Sequence, residues 1–224
     1  MFRIPEGKSL KARRTGDASN GSGVFLTFDD GPDPIWTPRV LEALRLADAT
    51  ATFFVIAPLA VRFPRLISEL RSAGHAIGLH CARHVRHTDM TRQEVEADVG
   101  SSLRNLERLG ITPRLWRPPW GILAPWTAAV AEDFGLTLVP WTADTHDWRG
   151  DNAQTMLEVI SPALGPDAIV LMHDGLGPGA RRVGCEETVR LAGPLVERAR
   201  SLGCEPAAMN ADTVTALPAP KAAS

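Results

Sequence analysis

Val24-Phe25-Leu26-Thr27-Phe28-Asp29-Asp30-Gly31-Pro32 is an apolar run that stops on two carboxylates and a turn. Residues 24–28 read as a buried strand, because β-branched and aromatic side chains dominate the run. Successive side chains of a regular strand face opposite sides. Asp29 and Asp30 can therefore share one site only if the backbone turns there, and Gly31-Pro32 supplies the turn. Taken alone, the stretch is explained equally well by a solvated D-D-G-P turn.

Outward from it the same rhythm recurs. Short apolar runs at 51–56, 75–80, 114–117, 136–142, 168–173 and, in the faintest form, 206–209 alternate with helical patterns. That alternation is the signature of an α/β domain with a parallel sheet. Thr37 reads as a helix N-cap with Pro38 in the first turn, followed by Val40, Leu41 and Leu44 on one face. Thr91 and Glu94 form a capping-box pattern ahead of Val95, Val99, Leu103 and Leu106, and Gly110 ends that helix. A further helix is predicted over 188–202, with Pro194 kinking or breaking it. Seven strand candidates can close into a barrel or stay an open sheet, and periodicity does not choose between them. Asp29, Asp30, His80, Arg117, Asp144 and His173 all fall at or just past the C-terminal end of a predicted strand. Parallel barrels and open parallel sheets both carry their active sites on that rim.

With 224 residues, 44% apolar and 22% charged, the chain is expected to form one soluble domain over 23–216, between loose segments at 1–22 and 217–224. A net charge of −2 gives no electrostatic reason to expect nucleic acid or an anionic membrane as partner. The first residues contain no apolar run of the length that a signal peptide or a membrane span needs. The expectation is a cytoplasmic protein without membrane insertion. Three cysteines cannot all pair within one chain; a Cys185–Cys204 bridge would leave Cys81 over, and three reduced thiols suit the cytoplasm.

Four further clusters carry chemical potential. In His80-Cys81-Ala82-Arg83-His84 two imidazoles stand four apart, sharing a face if the segment is helical. Metal sites use that spacing, although a lone pair of this kind is more often incidental, and His75 and His87 enlarge the coincidence. Joined by a carboxylate from another strand end, the pair becomes a two-histidine, one-carboxylate set with open positions. Such a set suits catalytic zinc, Fe(II), Co(II) or Ni(II) rather than a closed structural site. Arg117-Pro118-Pro119-Trp120-Gly121 is a stiff loop whose arginine can hold a carboxylate in its fork, or simply a structural loop with Trp120 on the core. Asp144-Thr145-His146-Asp147-Trp148 offers two acids and an aromatic, and Ile169-Val170-Leu171-Met172-His173-Asp174 is a buried-type strand ending in histidine. Arg83 and Arg86 would favour an anionic substrate, but a solvated basic face explains them more simply. Trp126, Trp141 and Trp148 can stack on sugar rings, and core packing is at least as good a reading for each.

Taken in order, the five clusters resemble the NodB-homology polysaccharide deacetylases, carbohydrate esterase family 4. T-F-D-D-G-P at 27–32 looks like that family's first motif without a change, and His80 with His84 resembles its H-(S/T)-x-x-H. R-P-P-W-G at 117–121, D-T-H-D-W at 144–148 and L-M-H at 171–173 resemble the third, fourth and fifth motifs. Two positions depart from the pattern. Cys81 stands where Ser or Thr is usual, giving a weaker hydrogen bond and a thiol that could compete for the metal or be oxidised. Trp120 stands where tyrosine is common, which alters the substrate-facing surface.

The resemblance implies a distorted parallel (β/α) barrel of about seven strands that hydrolyses the N-acetyl group of an acetylated amino sugar. It implies one divalent metal, zinc foremost and cobalt, nickel or iron behind it, held by Asp30, His80 and His84. Asp29 would be the general base, held ionised by Arg117; the Trp120 N–H would contact the oxyanion; His173 would protonate the leaving amine, oriented by Asp144 or Asp147. The expected substrate is an acetylated oligosaccharide, a glycolipid or a glycosylated precursor. Competing readings are a same-fold hydrolase of a non-sugar amide, imide or formamide and, more remotely, a non-catalytic sugar-binding module. The latter has no use for base, ligands and acid together.

Overall fold

The computed structural model describes residues 22–210. Beyond Ser22, the expected loose ends lie outside the described residues. In chain order the strands and helices are β1 Ser22–Asp29, α1 Trp36–Leu46, β2 Thr52–Ile56, α2 Ala57–Arg62, α3 Pro64–Ser72, β3 Ala76–Cys81, α4 Arg92–Glu107 and β4 Leu115–Trp116. They continue with α5 Thr127–Asp133, β5 Thr137–Leu138, β6 Ala143–Asp144, α6 Ala153–Ile160, β7 Ile169–His173, α7 Glu186–Ser201 and β8 Cys204–Ala207.

Alternation along the strands divides the core in two. Val24, Leu26 and Phe28 of β1, Phe53 and Val55 of β2, and Val170 and Met172 of β7 join the large cluster under the helices. Phe25, Phe54, Leu115 and Ile169 face the other way into a smaller cluster with Val139 and Met209. Both faces of the sheet are thus apolar, as a parallel sheet curled on itself requires. Inward parity carried to the strand ends turns polar: Phe25 is followed by Thr27 and Asp29 on β1, Gly78 by His80 on β3, and Ile169 by Leu171 and His173 on β7. Gly78 is obligatory there, since a Cβ would lie 2.6 Å from the Phe54 ring.

The strands run in the order β5-β4-β3-β2-β1-β7-β6, every pairing parallel, and β8 adds to the first half of β1. β5 and β6 sit at the two ends of that path although only four residues separate them in sequence. The chain crosses the seam of the curled sheet at 139–142, so the expected single strand over 136–142 is only the short β5 followed by the crossing, and β6 begins just past it on the opposite edge. Pro140, which has no N–H to give a ladder, stands in the crossing. Arg117 fastens it, donating from Nε to the Val139 carbonyl (3.1 Å) and from Nη2 to that of Pro140 (3.2 Å).

Two helix expectations need correction. Thr37 does not cap α1: Asp33 Oδ1 accepts the Ile35 and Trp36 N–H groups at 2.8 and 2.9 Å, while the Thr37 hydroxyl lies inside the helix and donates to Asp174. Pro194 neither breaks nor ends α7, which runs through it. Gly193 lacks the Cβ that a following proline ring would crowd, and Leu191, Ala192, Leu195, Val196 and Ala199 anchor the helix on the core. The capping box at Thr91 and Glu94 forms as expected. Among the described residues, no helix is long and apolar enough to cross a membrane.

Candidate active site

At the end of β1 the neighbouring aspartates go to different partners. Asp30 takes a left-handed conformation (φ 73°) ahead of a cis Gly31–Pro32 bond, so the turn begins on the aspartate itself. Its Oδ1 lies 3.3 Å from His80 Nε2 and 3.1 Å from His84 Nε2. The 80–84 segment is not helical. His80 is the penultimate residue of β3, and the chain bends back so that the two imidazole centroids are 5.0 Å apart. Asp98 of α4 holds that bend, accepting the Ala82 and Arg83 N–H groups at 2.8 Å each. His80 Nδ1–H donates to the Arg117 carbonyl (2.6 Å), which fixes the tautomer and turns Nε2 toward Asp30.

The three ligand atoms lie within 4.8 Å of one another. Asp30 Oδ1 is buried and has no hydrogen-bond donor, an arrangement that costs free energy unless a cation completes it. Residues and chemistry fit one divalent ion on a two-nitrogen, one-oxygen set with room for further ligands. Against the cost of burial, the two imidazoles hold the Asp30 carboxyl well below the usual carboxylate range. Packing around it is tight: a Cβ on Gly177 would lie 2.1 Å from Asp30 Oδ2, and one on Gly175 2.6 Å from the Asp30 carbonyl oxygen. Cys81 is buried outside this cluster, and burial pushes its thiol well above the ordinary value.

Asp29, facing the curled interior, accepts from Arg117 Nη1 at 2.9 Å. The same nitrogen donates to Thr27 Oγ1 (2.6 Å), and the guanidinium lies over Phe54 at 4.2 Å. Arg117 is fully buried; burial lowers its pKa and the Asp29 charge opposes the shift. Trp120 adopts φ 55°, ψ 6°, and its ring meets His84 edge-on at 4.2 Å. Gly121 follows at φ 62°, where a Cβ would strike the Trp141 ring at 2.5 Å.

His173 meets Asp147, not Asp144. Its Nδ1 is 2.7 Å from Asp147 Oδ1, and its backbone N–H donates to Asp147 Oδ2 at 2.9 Å. Asp144 instead accepts the His146 N–H at 2.8 Å and lies 3.1 Å from His146 Nδ1. Burial works against the His173 charge, but Asp147 prevails and the imidazole is pushed up to about 9. Asp147, for its part, is lowered to about 2 despite complete burial. Arg182 and Thr188 complete the Asp147 shell, each donating to Oδ2 at 2.8 Å. Sequence reasoning missed Arg182, Thr188 and Asp98. Only a helical periodicity that brings α7 back under β7 would have hinted at Thr188.

The other side chains singled out in the sequence have partners within the protein. His75 Nδ1 accepts the Ala51 N–H, and His87 sits buried beside Trp116 and Thr127, burial lowering it to about 4. Trp126 packs on the large core and Trp141 on the small one, whereas Trp148 carries the Arg149 and Arg181 guanidiniums at 5.1 and 5.6 Å. Arg83 reaches Asp98 at 3.8 Å, and Arg86 lies over Trp120 at 5.0 Å. All three cysteines are free and buried.

Comparison with known proteins agrees with this geometry. Residues 16–139 match the family model described as polysaccharide deacetylase. A chitooligosaccharide deacetylase of Bradyrhizobium sp. (strain ANU 289) is 35% identical over 180 residues, covering 80% of this chain and 82% of that one. A peptidoglycan-N-acetylglucosamine deacetylase of Bacillus cereus is 33% identical over 159 residues, covering 70% and 75%. A family 4 carbohydrate esterase from Streptomyces lividans, solved with acetate, superposes with a TM-score of 0.78 at 27% identity over 89% of this chain and 98% of its own. Curled parallel sheet, strand-end motifs and relatives agree, and the chain belongs to the polysaccharide deacetylase family of carbohydrate esterases.

Proposed function

We propose that this protein hydrolyses the N-acetyl group of an acetylated amino sugar, of the N-acetylglucosamine oligosaccharide, glycolipid or glycosylated-precursor kind, releasing acetate and a free amine. One observation carries the reading: consecutive aspartates are divided between an arginine and a pair of histidines, so that one is placed as a base and the other as a metal ligand. Asp30, His80 and His84 would hold the metal, with zinc the first candidate and cobalt, nickel or iron(II) behind it. When bound, that ion supplies Lewis acidity toward the amide carbonyl and acidifies water.

The remaining work falls to the protein. Asp29, with Oδ1 taken by Arg117, receives the proton of the attacking water on its other oxygen. The backbone N–H of Trp120, a residue whose left-handed conformation accompanies the edge-on contact of its ring with His84, is assigned the developing oxyanion. His173, with Nδ1 engaged by Asp147, gives its Nε2 proton to the nitrogen as the C–N bond breaks. Asp147 is the orienting acid of the two considered. A cytoplasmic setting is part of the reading, supported by three free buried thiols and tested by cell fractionation.

Chelator-stripped protein, reloaded with zinc or cobalt, should release free amine from N-acetylglucosamine oligomers. Asp29→Asn should abolish release and keep the metal, whereas His80→Ala should lose both. Full activity in Asp29→Asn would remove the base assignment. One equivalent of bound metal without any amine release would move the reading to a non-sugar amide.

A further inference from the structure

We infer that Arg182 is a positioning residue for the acid half of the site, and that it ties this half to the metal half. The proposal rests on the assignment of His173 as the acid. Arg182 lies in the segment between β7 and α7, beyond the sequence motifs, and its side chain is only 6% exposed. Its Nη1 donates to Asp147 Oδ2 (2.8 Å) and to Thr188 Oγ1 (2.5 Å), and its Nη2 donates to the carbonyls of His173 (3.0 Å) and Gly175 (3.1 Å). One planar fork thus reaches the acid's partner, the acid's own backbone and the glycine packed against the metal-binding aspartate.

The consequence for Asp147 follows from counting donors. Its Oδ2 receives the His173 N–H, the Thr188 hydroxyl and Arg182, so the carboxylate cannot rotate, and Oδ1 is left to the His173 ring. A lysine could supply charge but not the geometry, because one ammonium nitrogen with three donors cannot replace four contacts made from two separate guanidinium nitrogens. Beyond Gly175 the chain passes Gly177 against Asp30 Oδ2 and returns to the rim, where the Arg181 N–H donates to the Trp148 carbonyl at 2.8 Å. Arg182 therefore closes a loop that begins at His173, runs over Asp30 and ends beside Asp147.

The test uses Arg182→Gln, Arg182→Lys and Thr188→Val in zinc-loaded, full-length protein. Proton NMR follows the downfield Nδ1–H resonance of His173, assigned by its loss in Asp147→Asn. If Arg182 positions the pair, the resonance broadens or disappears in Arg182→Gln and in Arg182→Lys, while thermal unfolding remains cooperative. A resonance that survives unchanged in Arg182→Gln overturns the proposal. Turnover reads the assignment beneath it. The kcat of Arg182→Gln should fall on the order of 10- to 100-fold, the range typical of residues that orient a catalytic ligand, with KM nearly constant. Combined with Asp147→Asn, it should add little, because the two act as a unit. Additive losses in that double variant overturn the positioning role. A lost resonance with unchanged kcat would keep Arg182 as the brace and remove His173 as the acid. Thr188→Val, which takes one donor from Oδ2 and no charge, should show the same effects in weaker form, and larger effects than Arg182→Gln would transfer the role to Thr188.

Discussion

His173 and Asp147 show how much one carboxylate decides. With the imidazole pushed up to about 9, the proton to be donated is present at neutral pH and is lost as pH rises through that value. The alkaline limb of kcat is therefore expected near pH 9, and Asp147→Asn, which removes the main raising charge, should move it to lower pH. A limb that stays in place would belong to another group. Gly177 gives a second prediction. Gly177→Ala would press a methyl group into the Asp30 carboxylate and should lose most metal affinity in a titration. Gly179→Ala, with nothing within 4 Å, should keep that affinity despite its φ of 92°. The residues assigned to substrate and metal were legible in the sequence because strand ends and turn chemistry mark them. The choice between Asp144 and Asp147 was not. It depends on a left-handed His146 (φ 55°), which swings the following aspartate back under β7.

Strands buried on both faces were the most readable elements. β1, β2, β3, β4 and β7 lie within two residues of the expected runs, since buried parallel strands leave continuous apolar stretches. The long 136–142 run misled because an apolar crossing through a seam has the composition of a strand without its pairing. α2, α3, α5 and α6 were passed over, being short and lacking strong capping signals save Asn152, whose side chain accepts from Thr155 N–H. Two substitutions test the accounts of helix ends and interiors. Thr91→Ala removes a complete capping box and should cost about 1 kcal/mol in urea unfolding. Pro194→Ala restores a missing N–H opposite the Arg190 carbonyl on an exposed turn of α7 and should stabilise, by up to about 3 kcal/mol.

Across the molecule, the metal is expected to be a fold ligand as well as a reagent. An ion that binds the native chain alone stabilises it by mass action, about 4 kcal/mol at a thousandfold excess over Kd. Chelation should therefore lower Tm, and the recovery on reloading should grow with the logarithm of metal concentration; a Tm indifferent to metal would remove Asp30, His80 and His84 as a site. Arg117 has a different lesson. The guanidinium that grips Asp29 is also the clasp on the 139–140 crossing. A population selected only for surviving heat, with no substrate ever offered, would still keep this arginine. Directed evolution toward ruggedness should accordingly leave the base's partner intact, and a catalytically silent descendant of this chain would shed Asp29 long before it shed Arg117.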